Sequence, residues 1–564
     1  MAWHTRPELQ PGFVNSRMRA YLAGLGPVPS GSLTLANRIA FIGSKSLGAD
    51  LAQFAAVEML APGREAPAVD VLLIAGDWPK AGEPWREALL NPADAAALRR
   101  TIALYRSRGT PSVLWLTGEA DAAEALLHLK DAVDAVFVPH GMTGGPALDA
   151  GVNVKLFNPF RGEGPSADAA FFRFLVDGAH ELADAAQWDM LAPFLPFNSW
   201  LIDSSYHYQI PNMKLPAVWR RRFLGHVDTV ARAAATKMAY GVFLPDALSR
   251  RRPAHFRRRA REAAACKTLV FTDAAAQSGT IRLDASDASA TVARLCEDDV
   301  ARVGLAHRAW REVMAGDSLF ERLETIFAAV GIAPVYSEPL RPSINVVMPT
   351  LRPELIPFAL AMFRAQTYAN AELTIVANGV PVPDEIARAI AETPRARLCA
   401  VPRDKTLGYC MNYGIDRAAT DYWAKWDDDD VYGPHYLEDQ MLQRKYLDFD
   451  VAGKTAIFNY LEERDCVYAR NFAARDAPAA HLGGGTLIVR NGGRYFAEDG
   501  RGGEDRAFLH LARERGDRIV AGDPFNFVQV RRADPASHTW TLGAHAQDLR
   551  GPRRPGLRLE AVVQ

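Results

Sequence analysis

Four consecutive aspartates, Asp427-Asp428-Asp429-Asp430, follow the largely apolar stretch Tyr422-Trp423-Ala424-Lys425-Trp426. Like charges crowded at the end of a strand repel one another unless a cation or a set of donors compensates them. Hard divalent cations such as Mg2+ and Mn2+ prefer carboxylate oxygens and share their shell with substrate phosphates. The competing reading is a solvated acidic turn whose charge favours the N-terminus of the next helix. A second acidic feature, Glu504-Asp505, opens an apolar periodicity through Ala507, Phe508 and Leu511. Two carboxylates there would project from a rigid helix start, where they could take a proton or serve as an ordinary acidic cap.

Residues of this kind need a scaffold that brings strand ends together. After Pro334–Pro342, with its three prolines, the pattern reads strand Ile344–Met348, helix Glu354–Ala365, strand Leu373–Ala377 and helix Pro383–Ala391. Alternating strands and helices of this length imply a parallel sheet covered by helices. Ligands then gather beyond the carboxyl ends of the strands, which is where the aspartates lie. The first half has the same texture. Its candidate strands are Ile39–Gly43, Val71–Ala75, Ser112–Leu116, Ala135–Pro139 and Val152–Phe157, with helical stretches at Pro92–Arg106 and Ala120–Ala132. Further on, helices are expected at Asp228–Ala239, Pro253–Cys266 and about Asp298–Val330, with a strand at Thr268–Thr272. The expected organisation is an N-terminal extension (1–30), a Rossmann-like lobe (31–160), a second, shortened α/β lobe (161–333), a linker (334–342), a third α/β domain (343–545) and a tail (546–564).

Several short motifs of the third domain occur in a telling order: Val346-Val347-Met348-Pro349-Thr350, Leu373-Thr374-Ile375-Val376-Ala377-Asn378-Gly379, Leu407-Gly408 with Asn412 and Gly414, and Lys425 through Pro434. Then come Gly483-Gly484-Gly485-Thr486, Gly503-Glu504-Asp505 and His538-Thr539-Trp540. Together, from about Ser343 to Trp540, they resemble the family 2 glycosyltransferases, inverting enzymes of the GT-A fold. The resemblance implies a nucleotide-diphosphate-sugar donor, with UDP as the prior for the nucleotide, and a divalent cation, Mn2+ or Mg2+. It places Asp427 and Asp429 in the DXD motif, the first toward the ribose and the second on the metal, with Asp428 beside them at the donor. Thr350, Arg352, Asn378 and Lys405 fall at nucleotide-sugar contacts, and His538 at a metal or phosphate contact, although a packed core histidine reads equally well there. Glu504 and Asp505 fall on the acidic pair that supplies the general base, Asp505 being the expected base. Gly484, Gly485 and Trp540 are expected at the acceptor pocket. Two positions depart from the family: Ala377-Asn378 replaces an acidic pair near the base, and Met411 replaces an arginine.

In the first half, Arg259 and Glu262 through Asp273 are similar to a segment of the second lobe of GT-B glycosyltransferases, the CgeB-like group in particular. Ala306 to Phe327, with Arg308 and Arg311, is similar to that fold's closing helix. Lys267 stands where the family has a glycine, and no glycine-rich donor loop accompanies it. The whole is therefore expected to be α/β, with GT-B-type lobes ahead of a GT-A domain. Gly43-Ser44-Lys45-Ser46 lacks P-loop spacing and reads as a strand-to-helix turn. The arginines 250, 251, 252, 257, 258, 259 and 261 could meet a diphosphate or an anionic membrane surface, with a solvated helical face as the default reading.

Composition sets the outer limits. The 564 residues are 49% hydrophobic and 23% charged, with a net charge of −1, which gives no global field for nucleic acid. No apolar run reaches the roughly 20 residues that span a bilayer. Five scattered cysteines without a CxxC pair fit reduced thiols, so a cytoplasmic location is expected, with peripheral contact at the inner face of the membrane left open. The expected activity is metal-dependent, inverting transfer of a sugar to a hydroxyl of a glycan, lipid-linked or protein acceptor, as in polysaccharide biosynthesis. The N-terminal half then serves as an accessory acceptor-binding or assembly module, with oligomerisation open. Alternatives are a second active transferase in that half, or a non-catalytic glycan-binding protein. A sugar-phosphate nucleotidyltransferase is disfavoured because Pro349 through Glu354 lacks its glycine- and arginine-rich loop.

Overall fold

A computed structural model describes residues 14–23, 31–64, 66–76, 83–161, 173–182, 184–203, 215–275, 277–499, 503–533, 553–555 and 562–563. The first sheet contains β1 (Leu35–Ile42), β2 (Ala55–Met59), β3 (Val71–Gly76), β4 (Ser112–Leu116) and β5 (Ala135–Phe137), all parallel in the order β2-β1-β3-β4-β5. Every residue of β3 and β4 is buried, as a parallel sheet covered on both faces requires. Ser44 caps the helix Lys45–Leu51 by accepting the Leu47 N–H at 3.2 Å, so the Gly43–Ser46 segment is the strand-to-helix turn expected of it.

The second sheet contains β6 (Phe174–Val176), β7 (Ser199–Asp203), β8 (Phe223–His226), β9 (Gly241–Phe243), β10 (Leu269–Thr272) and β11 (Thr280–Arg282). These six strands are also parallel, in the order β11-β10-β9-β6-β7-β8. Two expectations need correction. Val152–Phe157 is a turn touching Ser318 through one bridge, because Asn153 donates to Asp50 and accepts the Leu156 N–H. The expected helix Asp298–Val330 is two, Asp299–Gly316 and Leu319–Ala329, separated where Ser318 and Glu321 form a capping box.

The third sheet carries β12 (Ile344–Thr350), β13 (Ala371–Asn378), β14 (Ala396–Val401) and β15 (Tyr422–Lys425) in parallel. A short β16 (Val431–Tyr432) follows, then β17 (Val451–Gly453), β18 (Ile457–Leu461), β19 (Cys466–Arg470), β20 (Ala477–Pro478), β21 (Ile488–Arg490), β22 (Ile519–Ala521), β23 (Phe527–Arg531) and β24 (Arg553–Pro555). The main sheet runs β14-β13-β12-β15-β21-β17-β22-β20, and a second runs β16-β23-β18-β19-β24. The chain steps from β12 to β13 and β14 on one side, then returns to place β15 on the other. A crevice therefore opens beyond Thr350 and Lys425, at the point where the strand order reverses.

The segment 334–342 is held along its length. Ala36 N–H donates to Val335 O at 2.6 Å, Ser337 N–H donates to Thr34 O at 2.8 Å, and Arg444 reaches Pro339 O and Glu338. One apolar cluster continues from Ile39 and Phe41 through Phe320 and Phe327 to Ile344, Tyr436 and Tyr446. The first lobe and the third domain thus share a core.

Candidate active site

The crevice beyond β12 and β15 holds the aspartate run, and each acid has its own surroundings. Asp428 is buried; it accepts the Thr350 hydroxyl at 2.5 Å and pairs with Arg352. Burial raises the Asp428 carboxyl above its ordinary range, against the pull of Arg352 and Thr350. Arg352 also reaches Asp429 at 2.9 Å. Asp430 is buried under the loop, where it accepts the Val530 N–H at 3.0 Å. Burial first, and the charges of Asp427 and Asp429 next, push Asp430 well above the carboxylate range.

Asp427 is paired with a different cation. Its Oδ1 takes a 2.8 Å ion pair from Lys425, whose side chain is only 2% exposed. The same Lys425 Nζ lies 3.3 Å from Asp505 Oδ2. Burial lowers the proton affinity of the Lys425 ammonium, but the two carboxylates more than offset this and hold it above its ordinary range. Asp505 belongs to the helix Glu504–Glu514, entered through Gly503 at φ 82°, a left-handed conformation that suits glycine. Burial raises the Asp505 carboxyl more than Lys425 lowers it. Its Oδ1 is sealed from solvent, while the side chain as a whole keeps 32% exposure.

Gly484 and Gly485 form the wall between these acids, on the turn Gly484–Thr486. A Cβ on Gly484 would come within 1.9 Å of Asp505 Oδ2, and one on Gly485 within 2.7 Å of Asp427 Oδ2. The glycines let the backbone approach both carboxylates. Beneath them Trp426 stacks on Tyr432, with ring centres 4.2 Å apart and planes 7° apart. The Tyr432 hydroxyl donates to Gly485 O at 2.7 Å and accepts the Asp427 N–H at 2.8 Å, tying the glycine turn to the acid loop.

The structure therefore brings together Thr350, Arg352, Asp427, Asp428, Asp429, Asp505, Gly484 and Gly485. Glu504 sits beside Asp505 in the first turn of the same helix. Asn378 and Lys405 lie at the end of β13 and in the loop after β14, joined by an Asn378 Nδ2 bond to Lys405 O at 3.0 Å. The Lys405 ammonium lies 4.8 Å from the Tyr409 ring centre. His538 and Trp540 lie outside the described residues. Motif reading missed Lys425 as a member of the site; the available signal was a lysine inside an otherwise apolar strand. The oxygen-only ligand set of Asp427 and Asp429, in a loop whose carboxylates outnumber Lys425 and Arg352, fits a hard divalent cation bound together with phosphate.

A second set of possible ligands lies at the junction of the two halves. The ligand atoms of His307, Asp439 and Asp523 fall within 4.8 Å of one another, all buried. Cations already occupy this cluster. Arg311 Nε and Nη2 donate to Asp439 at 2.6 and 2.7 Å, Lys454 pairs with Asp523 at 3.2 Å, and Asn526 donates to Asp439 at 2.9 Å. Two carboxylates facing Arg311 and Lys454 are already balanced, so the cluster is a clasp between the halves.

The expected solvated arginine face needs correction for the helix Pro253–Ala265, whose arginines are paired, while Arg250 and Arg251 on the helix before it are exposed. Arg257 and Arg261 meet Asp149 of the first lobe at 2.9 and 3.1 Å. Arg259 meets Glu262 at 3.1 Å, and Glu262 also takes Arg232 at 2.6 Å. Glu119, after β4, accepts the Ala254 and His255 N–H groups at 3.1 and 2.8 Å and so covers the start of this helix. Lys267 adopts φ 54°, the left-handed turn a glycine would take, and its ammonium reaches Asp476 of the third domain at 2.6 Å.

Residues 345–496 match the family described as Glycosyl transferase family 2. No curated protein matches the chain. Among solved structures, the chain is similar to the mannosyltransferase PcManGT from Pyrobaculum calidifontis in complex with GDP-Man and Mn2+, at 17% identity over 35% of this chain and 59% of that one, with a TM-score of 0.28. It is similar also to S. aureus TarS 1–349, at 15% identity over 33% and 60%, with a TM-score of 0.26. For the same protein in complex with UDP-GlcNAc the values are 16%, 35%, 61% and 0.26. The chain spans about three fifths of the length of these structures.

Proposed function

We propose that the chain is a metal-dependent inverting glycosyltransferase that moves a sugar from a nucleotide-diphosphate donor to an acceptor hydroxyl. The observation that carries this reading is the shared Lys425, which sets Asp427 of the acid run and Asp505 of the helix start on either side of one ammonium. A donor acid and a base carboxylate facing one space is what transfer with inversion requires. Thr350 and Arg352 line the nucleotide side, and Asn378 and Lys405 flank it. Asp429 and Asp427 would hold a divalent cation, which neutralises charge on the departing diphosphate when bound. Asp505 takes the proton of the acceptor hydroxyl, and the glycine turn shapes the wall beside it.

The N-terminal half is read as an accessory module. Support comes from its seam: Glu119 covers the start of the helix Pro253–Ala265, Asp149 engages Arg257 and Arg261, and Lys267 is turned into the third domain. Groups that would otherwise meet a donor diphosphate are committed to carboxylates of the chain itself.

A screen of sugar nucleotides with Mn2+ for thermal stabilisation identifies the donor, because ligand binding to the native state shifts unfolding. With that donor, Asp505→Asn should reduce transfer to a small residual rate while leaving donor binding nearly intact. Equal loss of binding and turnover would sink the base role. Transfer that persists in Asp505→Asn alone would also sink the base role, and transfer that survives Asp505→Asn and Asp429→Ala combined in the full chain would point to a second transferase in the N-terminal half.

A further inference from the structure

The transferase reading uses Lys425 to relate the two carboxylates but gives it no part in the transfer step, and the following rests on that reading. Lys425 sits in β15 with its backbone N–H on Leu487 O at 2.9 Å, so the strand fixes where its stem begins. Its ammonium is buried and lies 2.8 Å from Asp427 Oδ1 and 3.3 Å from Asp505 Oδ2. Without it, two carboxylates from different elements would face each other across a partly desolvated gap, and their repulsion would drive the side chains apart.

The two oxygens of Asp505 are not equivalent. Oδ1 is sealed from solvent. The oxygen left to meet an incoming hydroxyl is Oδ2, which is the oxygen held by Lys425 on one side and limited by Gly484 on the other. A carboxylate oxygen can accept more than one hydrogen bond, so the lysine fixes Oδ2 without consuming it.

We infer that Lys425 is the positioning residue of this site: its single ammonium sets Asp505 Oδ2 at a fixed place relative to the donor acid Asp427. In the transfer step the acceptor O–H proton passes to Asp505 Oδ2 as the acceptor oxygen bonds to the anomeric carbon. The bond from that carbon to the diphosphate oxygen breaks, and its electron pair leaves with the nucleoside diphosphate. Lys425 exchanges no proton; it keeps the accepting oxygen in line.

The test compares Lys425→Met, Lys425→Arg, Asp505→Asn and the double variant Lys425→Met/Asp505→Asn in the full chain, with kcat and thermal midpoint measured for each. A carboxylate displaced by about 1 Å costs about 100-fold, so Lys425→Met should lower kcat by about that factor. Residues acting as a unit are not additive, so the double variant should fall no more than about threefold below Asp505→Asn alone. Lys425→Arg, which keeps a cation but shifts its position, should recover about tenfold over Lys425→Met and stay about tenfold below the native chain. Losses that multiply in the double variant, or a lowered midpoint with native kcat, would overturn the inference. Where Lys425→Met does not fold, Lys425→Arg decides: a native kcat in that variant overturns the inference, and a loss of about tenfold supports it. A native chain inactive with every donor would overturn the transferase reading and this inference with it; multiplicative losses in an active chain overturn the inference alone.

Discussion

Two glycines set the geometry of the site at the scale of single residues. Gly484 leaves Asp505 Oδ2 its place, because a methyl there would overlap that oxygen at 1.9 Å. Gly484→Ala should therefore cut kcat by about 100-fold with a much smaller change in stability, read by comparing turnover with the thermal midpoint. Within the acid run the expected effects diverge. Asp429 is partly buried beside Arg352 and is the proposed metal ligand, so Asp429→Ala should remove most turnover with little loss of stability. Asp430 is buried beneath the loop and accepts the Val530 N–H, so Asp430→Ala should cost about 1–3 kcal/mol of stability while keeping more activity. Denaturant titrations beside initial rates for both variants check the contrast. The acid run and Glu504-Asp505 were legible in the sequence because strand ends and helix starts are positions with known company. The Lys425 bridge was not, since it joins residues 80 positions apart through a tertiary contact that no local spacing announces.

At the scale of elements, strands of the first lobe were readable where apolar runs are continuous, as in β3 and β4, whereas in the second sheet only β10 was read from the sequence. Val152–Phe157 misled because its alternation of apolar and polar residues suits a strand, while Asn153 closes it into a turn by accepting the Leu156 and Phe157 N–H groups. The arginine-rich helix misled for the opposite reason: its partners lie far away in sequence. Asp149 illustrates the energetic consequence. Burial alone would raise its carboxyl, but the Arg257 and His140 hydrogen bonds and the Arg257 and Arg261 charges outweigh burial and hold it at about 2. A carboxyl depressed in the folded state contributes stability above its unfolded value of 3.8 and loses it as pH falls toward about 2. The contribution is about 2 kcal/mol. Asp149→Asn should accordingly flatten the fall in stability between about pH 4 and pH 2, measured by denaturant unfolding across that range.

At the scale of the whole molecule, the halves behave as one body in packing. The His307–Asp439–Asp523 clasp, the Lys267–Asp476 pair and the tethered segment 334–342 cross the same boundary. Asp439→Asn leaves Arg311 beside a neutral amide in a buried setting, at a cost of about 3–5 kcal/mol. A calorimetric scan should then resolve separate transitions for the two halves, where the native chain should give one. Coincident melting of the variant at an unchanged midpoint would show that the clasp does not couple them. Among the described residues no helix is long and apolar enough to cross a membrane.

The stacked pair beneath the acid loop has a practical consequence. Trp426 lies flat on Tyr432, and Tyr432 is bonded to both Gly485 and Asp427. The indole is thus a built-in optical reporter, coupled to the loop and the glycine wall without touching either through its own polar atom. The part of the fluorescence change on donor addition that Trp426→Phe removes belongs to this one ring. Titrating that difference gives a donor affinity before any acceptor has been identified.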